Sequence, residues 1–300
     1  MSRYPHLDQR TQDIIEGSEE ERIVWVLQPR WIGYTKAHDA LNRLEWLMRY
    51  PPTHRMPNLL LVGHTNNGKT CIVHHFAERY PPTPPLDGEV RQMPVIVMQM
   101  PPVPDENRLY EEVLDQLKAP YRSRLPTGQK LFQVRTLLQD SKVRMLIIDE
   151  VHHLLAGRLE QQRILLNTLK FLGNDLQIPL VGVGTVDALR AIQTDPQLAN
   201  RFRPLALPKW TLDDDYRRLL ASFERLLPLR RPSQLHHRDL ATELLALSEG
   251  TIGDLATVLN LATEAAIRSG QERIDRQVLR TLEWDPPSLQ RQRANERVGC

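Results

Sequence analysis

The segment Gly63-His64-Thr65-Asn66-Asn67-Gly68-Lys69-Thr70 places two glycines, a lysine and a hydroxyl at the spacing of a loop that grips a polyphosphate. Glycines let the backbone turn tightly enough for successive N–H groups to face phosphate oxygens, and a helix starting after Gly68 adds the positive end of its dipole. Lys69 supplies charge to the β- and γ-phosphates, and Thr70 offers a hydroxyl to magnesium, which accepts one or two protein oxygens and keeps several waters. Residues Gly63 through Cys71 are therefore the expected cradle for ATP and Mg2+. A short pattern of this kind can arise by chance, so its setting matters. Well downstream, Met145-Leu-Ile-Ile-Asp149-Glu150 is an apolar run ending in paired carboxylates. Asp149 is expected to hold Mg2+ through a water, and Glu150 to orient or deprotonate the water that attacks the γ-phosphate.

Two further positions carry polar groups that such chemistry uses. Thr185 closes Val181-Gly-Val-Gly-Thr185 and is the expected polar sensor near the γ-phosphate, the alternative being a plain strand-end hydroxyl. Arg201 and Arg203, in Asn200-Arg-Phe-Arg203, stand just before a fifth apolar run. In ring or filament NTPases an arginine there reaches a neighbour's ATP and neutralises transition-state charge, although a surface arginine pair would read the same way.

The elements that must position these groups can be read from periodicity. Short apolar runs at 58–63, 95–98, 145–148, 180–183 and 204–207 suit strands buried on both faces, and helical patterns lie between them. Leu109, Val113, Leu114 and Leu117 line one face of a helix that Asp105 can cap; a second helix follows near 129–139, and a third spans 159–172. Prolines at 81, 82, 84 and 85 mark a loop. Strands alternating with helices imply a parallel sheet. Beyond Pro208 the strand signals stop, and helical patterns near 213–227, 238–248, 252–268 and 275–283 remain. The expected fold is α/β: a five-stranded parallel sheet between helices with a small C-terminal all-helical lid and an N-terminal extension. The segments are an extension over 1–50, a nucleotide-binding core over 51–208, a lid over 209–285 and a flexible polar tail over 286–300.

Composition narrows the setting. The 39 Lys and Arg nearly cancel the 37 Asp and Glu, leaving +2, so any nucleic-acid surface must be a local patch. Cys71 and Cys300 have no partner at metal or disulfide-framework spacing, the first residues are polar, and no run approaches a membrane span. A cytoplasmic protein with no membrane association is expected. The pairs His74-His75, His152-His153 and His236-His237 are expected to be poor chelators, because adjacent side chains point to different sides of a helix or strand.

Together the segments Arg30-Trp-Ile-Gly-Tyr34, Arg55-Met-Pro-Asn-Leu-Leu-Leu-Val-Gly63, Asn66-Asn-Gly-Lys-Thr70 and Ile147-Ile-Asp-Glu-Val-His152 resemble the TniB family, AAA+ ATPases of bacterial transposons related to TnsC. The likeness continues through Val181 to Thr185, Asn200 to Arg203 and Glu249-Gly-Thr-Ile-Gly253. It implies an AAA+ P-loop NTPase that forms a homo-oligomer, a ring or helical filament, on double-stranded target DNA and hydrolyses ATP. A TniA-like transposase and a TniQ-like protein would be its partners in a bacterial cytoplasm, with the arginine finger acting in trans. In the related TnsC filaments the DNA-tracking residues lie between the second and third strands, which by resemblance corresponds to about 107–130 here. Arg108, Thr127 and Lys130 are the contacts this implies, from a set that also holds Lys118, Arg122, Arg124 and Gln129, with ordinary solvated helix faces as the alternative. One departure stands out: the lid segment offers Gly253 or Ala256 where such lids often carry an arginine for the γ-phosphate, so Arg201 or Arg203 is expected to carry more of that load. The rivals are a helicase-loader-like ATPase, a P-loop enzyme with no DNA role, and a non-enzymatic switch, against which Glu150 argues.

Overall fold

The computed structural model describes residues 3–84, 90–193 and 199–298, so Pro85 and Cys300 lie outside it. The chain forms two compact units: one runs from Lys36 to Pro208, and the other joins Met1–Thr35 to Lys209–Cys300.

The first unit opens with α3 (Thr35–Arg49), since α1 (Gln9–Ile14) and α2 (Glu19–Leu27) belong to the other. It then alternates β1 (Asn58–Gly63), α4 (Lys69–Ala77), β2 (Val95–Gln99), α5 (Glu106–Gln116), α6 (Thr127–Asp140), β3 (Met145–Asp149), α7 (Leu159–Asp175), β4 (Leu180–Gly184), α8 (Val186–Gln193) and β5 (Phe202–Leu207). A 3-10 turn over Val151–Ala156 links β3 to α7. The strands form one five-stranded sheet in the order β2-β3-β4-β1-β5, and each pairing is parallel. Leu60, Val62, Ile96, Met98, Leu146 and Ile148 share one core with apolar residues of α5 to α8. The alternate residues Leu59, Leu61, Ile147, Val181 and Val183 are buried too, so β1, β3 and β4 are covered on both faces and read as unbroken apolar runs. Asp105 caps α5 as its sequence suggests, its Oδ1 accepting the Arg108 N–H at 2.9 Å.

The second unit holds α1 and α2 with α9 (Asp214–Glu224), α10 (Arg238–Ser248), α11 (Ile252–Arg268), α12 (Arg276–Thr281) and α13 (Pro287–Val298). Its segmentation differs from the sequence reading in two ways. Residues up to Thr35 pack with the C-terminal helices, because Ile23, Ile32 and Tyr34 join the apolar cluster of Tyr216, Leu219 and Leu255, whereas α3 buries Ala40, Leu41, Leu44 and Leu47 in the first unit. The expected flexible tail is also helical: Pro287 opens α13, where a missing N–H costs nothing, and the Ser288 N–H donates to Glu249 Oε1 at 2.8 Å. Among the described residues no single helix is long and apolar enough to cross a membrane.

A buried ion pair ties the N-terminal part of this unit to its C-terminal part. Arg22 is 1% exposed, and it donates to Glu272 and through Nε to the Pro228 carbonyl at 3.0 Å. Burial pushes the Glu272 carboxyl up, but hydrogen bonds from Arg22 and the Arg230 N–H, with the charges of both arginines, outweigh it and hold it below the usual carboxylate range. A depressed carboxyl contributes stability that is present above its unfolded pKa and lost as pH falls through the folded value. Replacing Glu272 with Ala should strand the Arg22 charge and cost about 3 kcal/mol. Urea unfolding followed by circular dichroism should show that loss at neutral pH, and the variant should lose less stability on acidification than the wild type.

Candidate functional site

The loop from Gly63 to Thr70 leaves the C-terminal end of β1 and enters α4. Gly68 sits at the helix N-cap with φ 79°, a left-handed conformation that favours glycine, and Asn66 reaches φ 60° just before it. A Cβ on Gly63 would come within 2.9 Å of the Leu207 carbonyl, so the close pairing of β1 with β5 also requires glycine there. Asn67 locks the loop from inside. It is 3% exposed, and its Nδ2 donates to the carbonyls of Leu207 and Pro208, each at 3.0 Å. The free N–H groups at the start of α4 face the same concavity, which gives it a positive potential.

The sheet order brings the acidic strand to this loop. Because β4 lies between β1 and β3, the tips of these strands converge on a cavity of about 530 Å³ lined by Thr65 through Cys71, Glu150, His152 and Thr185. Thr70 Oγ1 donates to Asp149 Oδ2 at 2.6 Å, while Asp149 Oδ1 accepts the Glu150 N–H at 2.7 Å. Lys69 is 7% exposed and folds back, its Nζ donating to the carbonyls of Gly63 at 3.1 Å and His64 at 2.7 Å. Burial pulls the Lys69 ammonium below its ordinary range, and the nearby charges of Asp149 and Glu150 oppose that fall. His64 is exposed and contributes its carbonyl, and Cys71 is exposed at the rim.

Glu150 has a left-handed backbone with φ 55°, a strain of about 1–3 kcal/mol for a residue with a side chain. Its Oε2 lies 3.1 Å from His152 Nε2. Gly184 leaves room on this side: a Cβ there would lie 2.9 Å from the Ala188 Cβ and 3.3 Å from His152 Nδ1. Thr185 Oγ1 and His152 Nδ1 are buried polar atoms with no partner among the described residues, and such atoms normally cost about 1–3 kcal/mol each. Two unsatisfied polar atoms at a polar cavity, beside a loop of N–H donors and a buried lysine, fit a polyanion with its own donors and acceptors. Thr70 and Asp149 are the oxygens on hand for a divalent cation.

His152 lines this cavity beside Glu150, a placement that sequence reasoning missed. The 3-10 turn after β3 brings the His152 and His153 rings to 4.9 Å, and with Glu150 they place three donor atoms within 4.8 Å of one another. The expectation of opposite-facing side chains assumed regular helix or strand geometry, which this turn does not have. Gly184 was the available signal, since a glycine at a strand tip often makes room for a neighbour.

The remaining candidates lie elsewhere. Arg201 and Arg203 precede or open β5, and the pairing of Asn58 with Phe202 sets them at the N-terminal end of the sheet, away from Gly63. They do not line the phosphate cavity of their own chain. Arg108 is exposed, and Thr127 Oγ1 donates to Asn107 Oδ1 at 2.9 Å. Lys130 corrects the sequence expectation: it is 2% exposed, its Nζ lying 2.6 Å from Glu111 Oε1 and 2.9 Å from the Ser123 carbonyl. With Val134 and Leu138 it falls on the inward stripe of α6, so its charge is engaged within the fold and not offered to a phosphate.

Replacing Asn67 with Ala should free the loop from the β5 terminus, weaken affinity for a nucleoside triphosphate by about tenfold, and lower stability by about 1 kcal/mol. Titration with a fluorescent ATP analogue and a thermal melt would measure both.

The sequence profile described as Bacterial TniB protein matches residues 22–212. A chloroplastic chaperone protein ClpC2 of Oryza sativa subsp. japonica is 28% identical over 183 residues, which are 60% of this chain and 18% of that protein. The chaperone protein ClpB of Meiothermus ruber is 26% identical over 158 residues, 52% of this chain and 17% of that protein. The chain thus spans less than a fifth of the length of these curated relatives. Among solved structures, Cdc6p from Pyrobaculum aerophilum superposes with a TM-score of 0.57 at 18% identity, covering 83% of this chain and 67% of that one. The Aeropyrum pernix ORC1 protein in complex with DNA gives 0.55 at 18% identity, covering 86% and 67%. At such identities the structural likeness speaks for the fold, that of AAA+ P-loop ATPases, while the profile match covers well over half of the chain: it belongs to the TniB family.

Proposed function

We propose that this protein hydrolyses ATP with Mg2+ and acts as a DNA transposition regulator, assembling as a homo-oligomer on double-stranded DNA and recruiting a TniA-like transposase, with a TniQ-like partner, in the bacterial cytoplasm. The observation that carries the ATPase reading is the 2.6 Å contact between Thr70 and Asp149, which joins the phosphate loop to the acidic strand tip. Lys69 exchanges its loop carbonyls for the β- and γ-phosphate oxygens, and Thr70 and Asp149 hold the metal. Bound there, Mg2+ offsets the negative charge on the terminal phosphates. Glu150 accepts the proton of a water whose oxygen bonds to the γ-phosphorus while the bond to the β–γ bridging oxygen breaks, yielding ADP and phosphate. Thr185 supplies a hydroxyl toward the γ-phosphate, and Arg201 or Arg203 acts on the nucleotide of a neighbouring subunit. Replacing Glu150 with Gln should leave ATP binding intact and reduce turnover by at least about 100-fold, whereas Lys69→Ala should abolish binding. Normal phosphate release by the glutamine variant would remove Glu150 from the mechanism.

Support for the DNA reading comes from family membership and from the surface around α5 and α6, where Arg108, Arg122 and Arg124 are exposed. Lysine and arginine at phosphates give salt-sensitive, sequence-tolerant affinity, because each neutralised phosphate releases counterions. Changing Arg108, Arg122 and Arg124 together to Ala should weaken binding to random-sequence duplex and flatten the salt dependence by roughly 0.9 for each phosphate that is no longer neutralised. Fluorescence anisotropy across a salt series would measure it; an unchanged slope would send the DNA surface elsewhere.

A further inference from the structure

At the end of the sheet remote from the phosphate loop, a second cavity of about 480 Å³ is lined by Tyr50, Arg55, Met56, Asn200, Arg201 and Arg203. Arg55 comes from the turn before β1, while Arg201 and Arg203 come from the start of β5; the pairing of Asn58 with Phe202 brings the two segments side by side. The Arg201 Nη1 donates to Asn174 Oδ1 at 2.5 Å, which steadies one guanidinium. Arg43 of α3 is close enough that the Arg203 charge, after burial, helps lower its pKa. Among the described residues no carboxylate pairs with Arg55, Arg201 or Arg203, the arginines that line the cavity, while the Arg43 guanidinium lies over the Trp46 ring, 4.1 Å from its centroid. Uncompensated like charge gathered around a concavity disfavours the isolated fold and favours a bound anion, and guanidinium forks match phosphate oxygens two at a time.

The chain's own nucleotide is out of reach. Gly63 lies five residues along β1 from Asn58, roughly 17 Å at strand rise. The phosphate cavity in turn is short of cations, since among the described residues Lys69 is the sole lysine or arginine that lines it. A triphosphate in that cavity leaves negative charge unmatched at its exposed end, while the arginine cavity has positive charge unmatched. Within one chain the two cannot meet, and their charges are complementary across two copies.

Resting on the ATPase reading above, we infer that Arg55 contacts the γ-phosphate of the nucleotide held by a second copy, in a cup shared with Arg201 and Arg203, and so contributes catalysis in trans. Arg55 is exposed, so its truncation leaves the core intact. In the full-length chain, Arg55→Ala should lower kcat at saturating ATP by about tenfold or more while the affinity of the dilute protein for a fluorescent ATP analogue and its melting temperature stay at wild-type values. Arg55→Lys, with one point charge for a planar fork, should recover only part of the rate. A mixing experiment supplies the test across copies. Lys69→Ala keeps the cup and loses the loop, and Arg55→Ala combined with Arg201→Ala and Arg203→Ala keeps the loop and loses the cup; each should be inactive alone and the mixture should regain turnover. Wild-type kcat in Arg55→Ala alongside a slow Arg201→Ala/Arg203→Ala variant would overturn the role of Arg55 and leave the ATPase reading standing. A mixture that stays inactive would overturn action in trans. A wild-type chain that releases no phosphate under any condition would sink the ATPase reading itself.

Discussion

The hydroxyl of Thr70, in the first turn of α4, donates to the carboxylate of Asp149 at 2.6 Å, although β4 separates β1, which leads into α4, from β3, which ends at Asp149. That contact depends on the order β2-β3-β4-β1-β5, because only with β4 between β1 and β3 do the loop, the acidic tip and Thr185 open into one cavity. The order in turn depends on burial. Strands β1, β3 and β4 have every residue out of solvent, so a shift in register would put polar tips into the core and apolar side chains at the site. Polar groups inside the sheet reinforce it: Asn58 Oδ1 accepts the Leu180 N–H at 2.9 Å, pinning the start of β1 to the start of β4.

A parallel sheet has unlike ends, and this one uses both. At the C-terminal end, backbone N–H groups, Lys69 and unpartnered polar atoms of Thr185 and His152 face a cavity suited to an anion. At the N-terminal end, Arg55, Arg201 and Arg203 collect around another. Neither end balances its own charge. The sheet keeps them apart within one chain, and that separation is a physical reason for the assembly proposed here.

Strain and crowding mark the turn that follows β3. Glu150 takes a left-handed backbone, the following 3-10 turn sets the His152 and His153 rings side by side at a tilt of 57°, and Gly184 leaves room beside the His152 ring. The contact of His152 Nε2 with Glu150 holds the carboxylate in a defined orientation. In the helical unit the buried Arg22–Glu272 pair contributes to holding the N-terminal helices against the C-terminal ones, with the Glu272 carboxyl held below its usual range.

Local patterning made the strands, most helices and the loop from Gly63 to Thr70 legible, because those features follow from periodicity and from backbone freedom at a few positions. The pairing of Lys69-Thr70 with Asp149-Glu150 was legible as well, since each motif constrains the other's chemistry. What lay beyond reach depends on which surfaces meet. The exchange of 1–35 into the helical unit turns on Ile23, Ile32 and Tyr34 finding Tyr216 and Leu255, residues far along the chain. The inward placement of Lys130 was within reach of a helical count through Val134 and Leu138, yet its pairing with Glu111 needed two helices laid side by side. The histidine at Glu150 and the arginine cup at the far end of the sheet join residues from separate turns and strands. Short-range spacing carries no information on such distances, and only the packed sheet, by setting strand order and register, decides them.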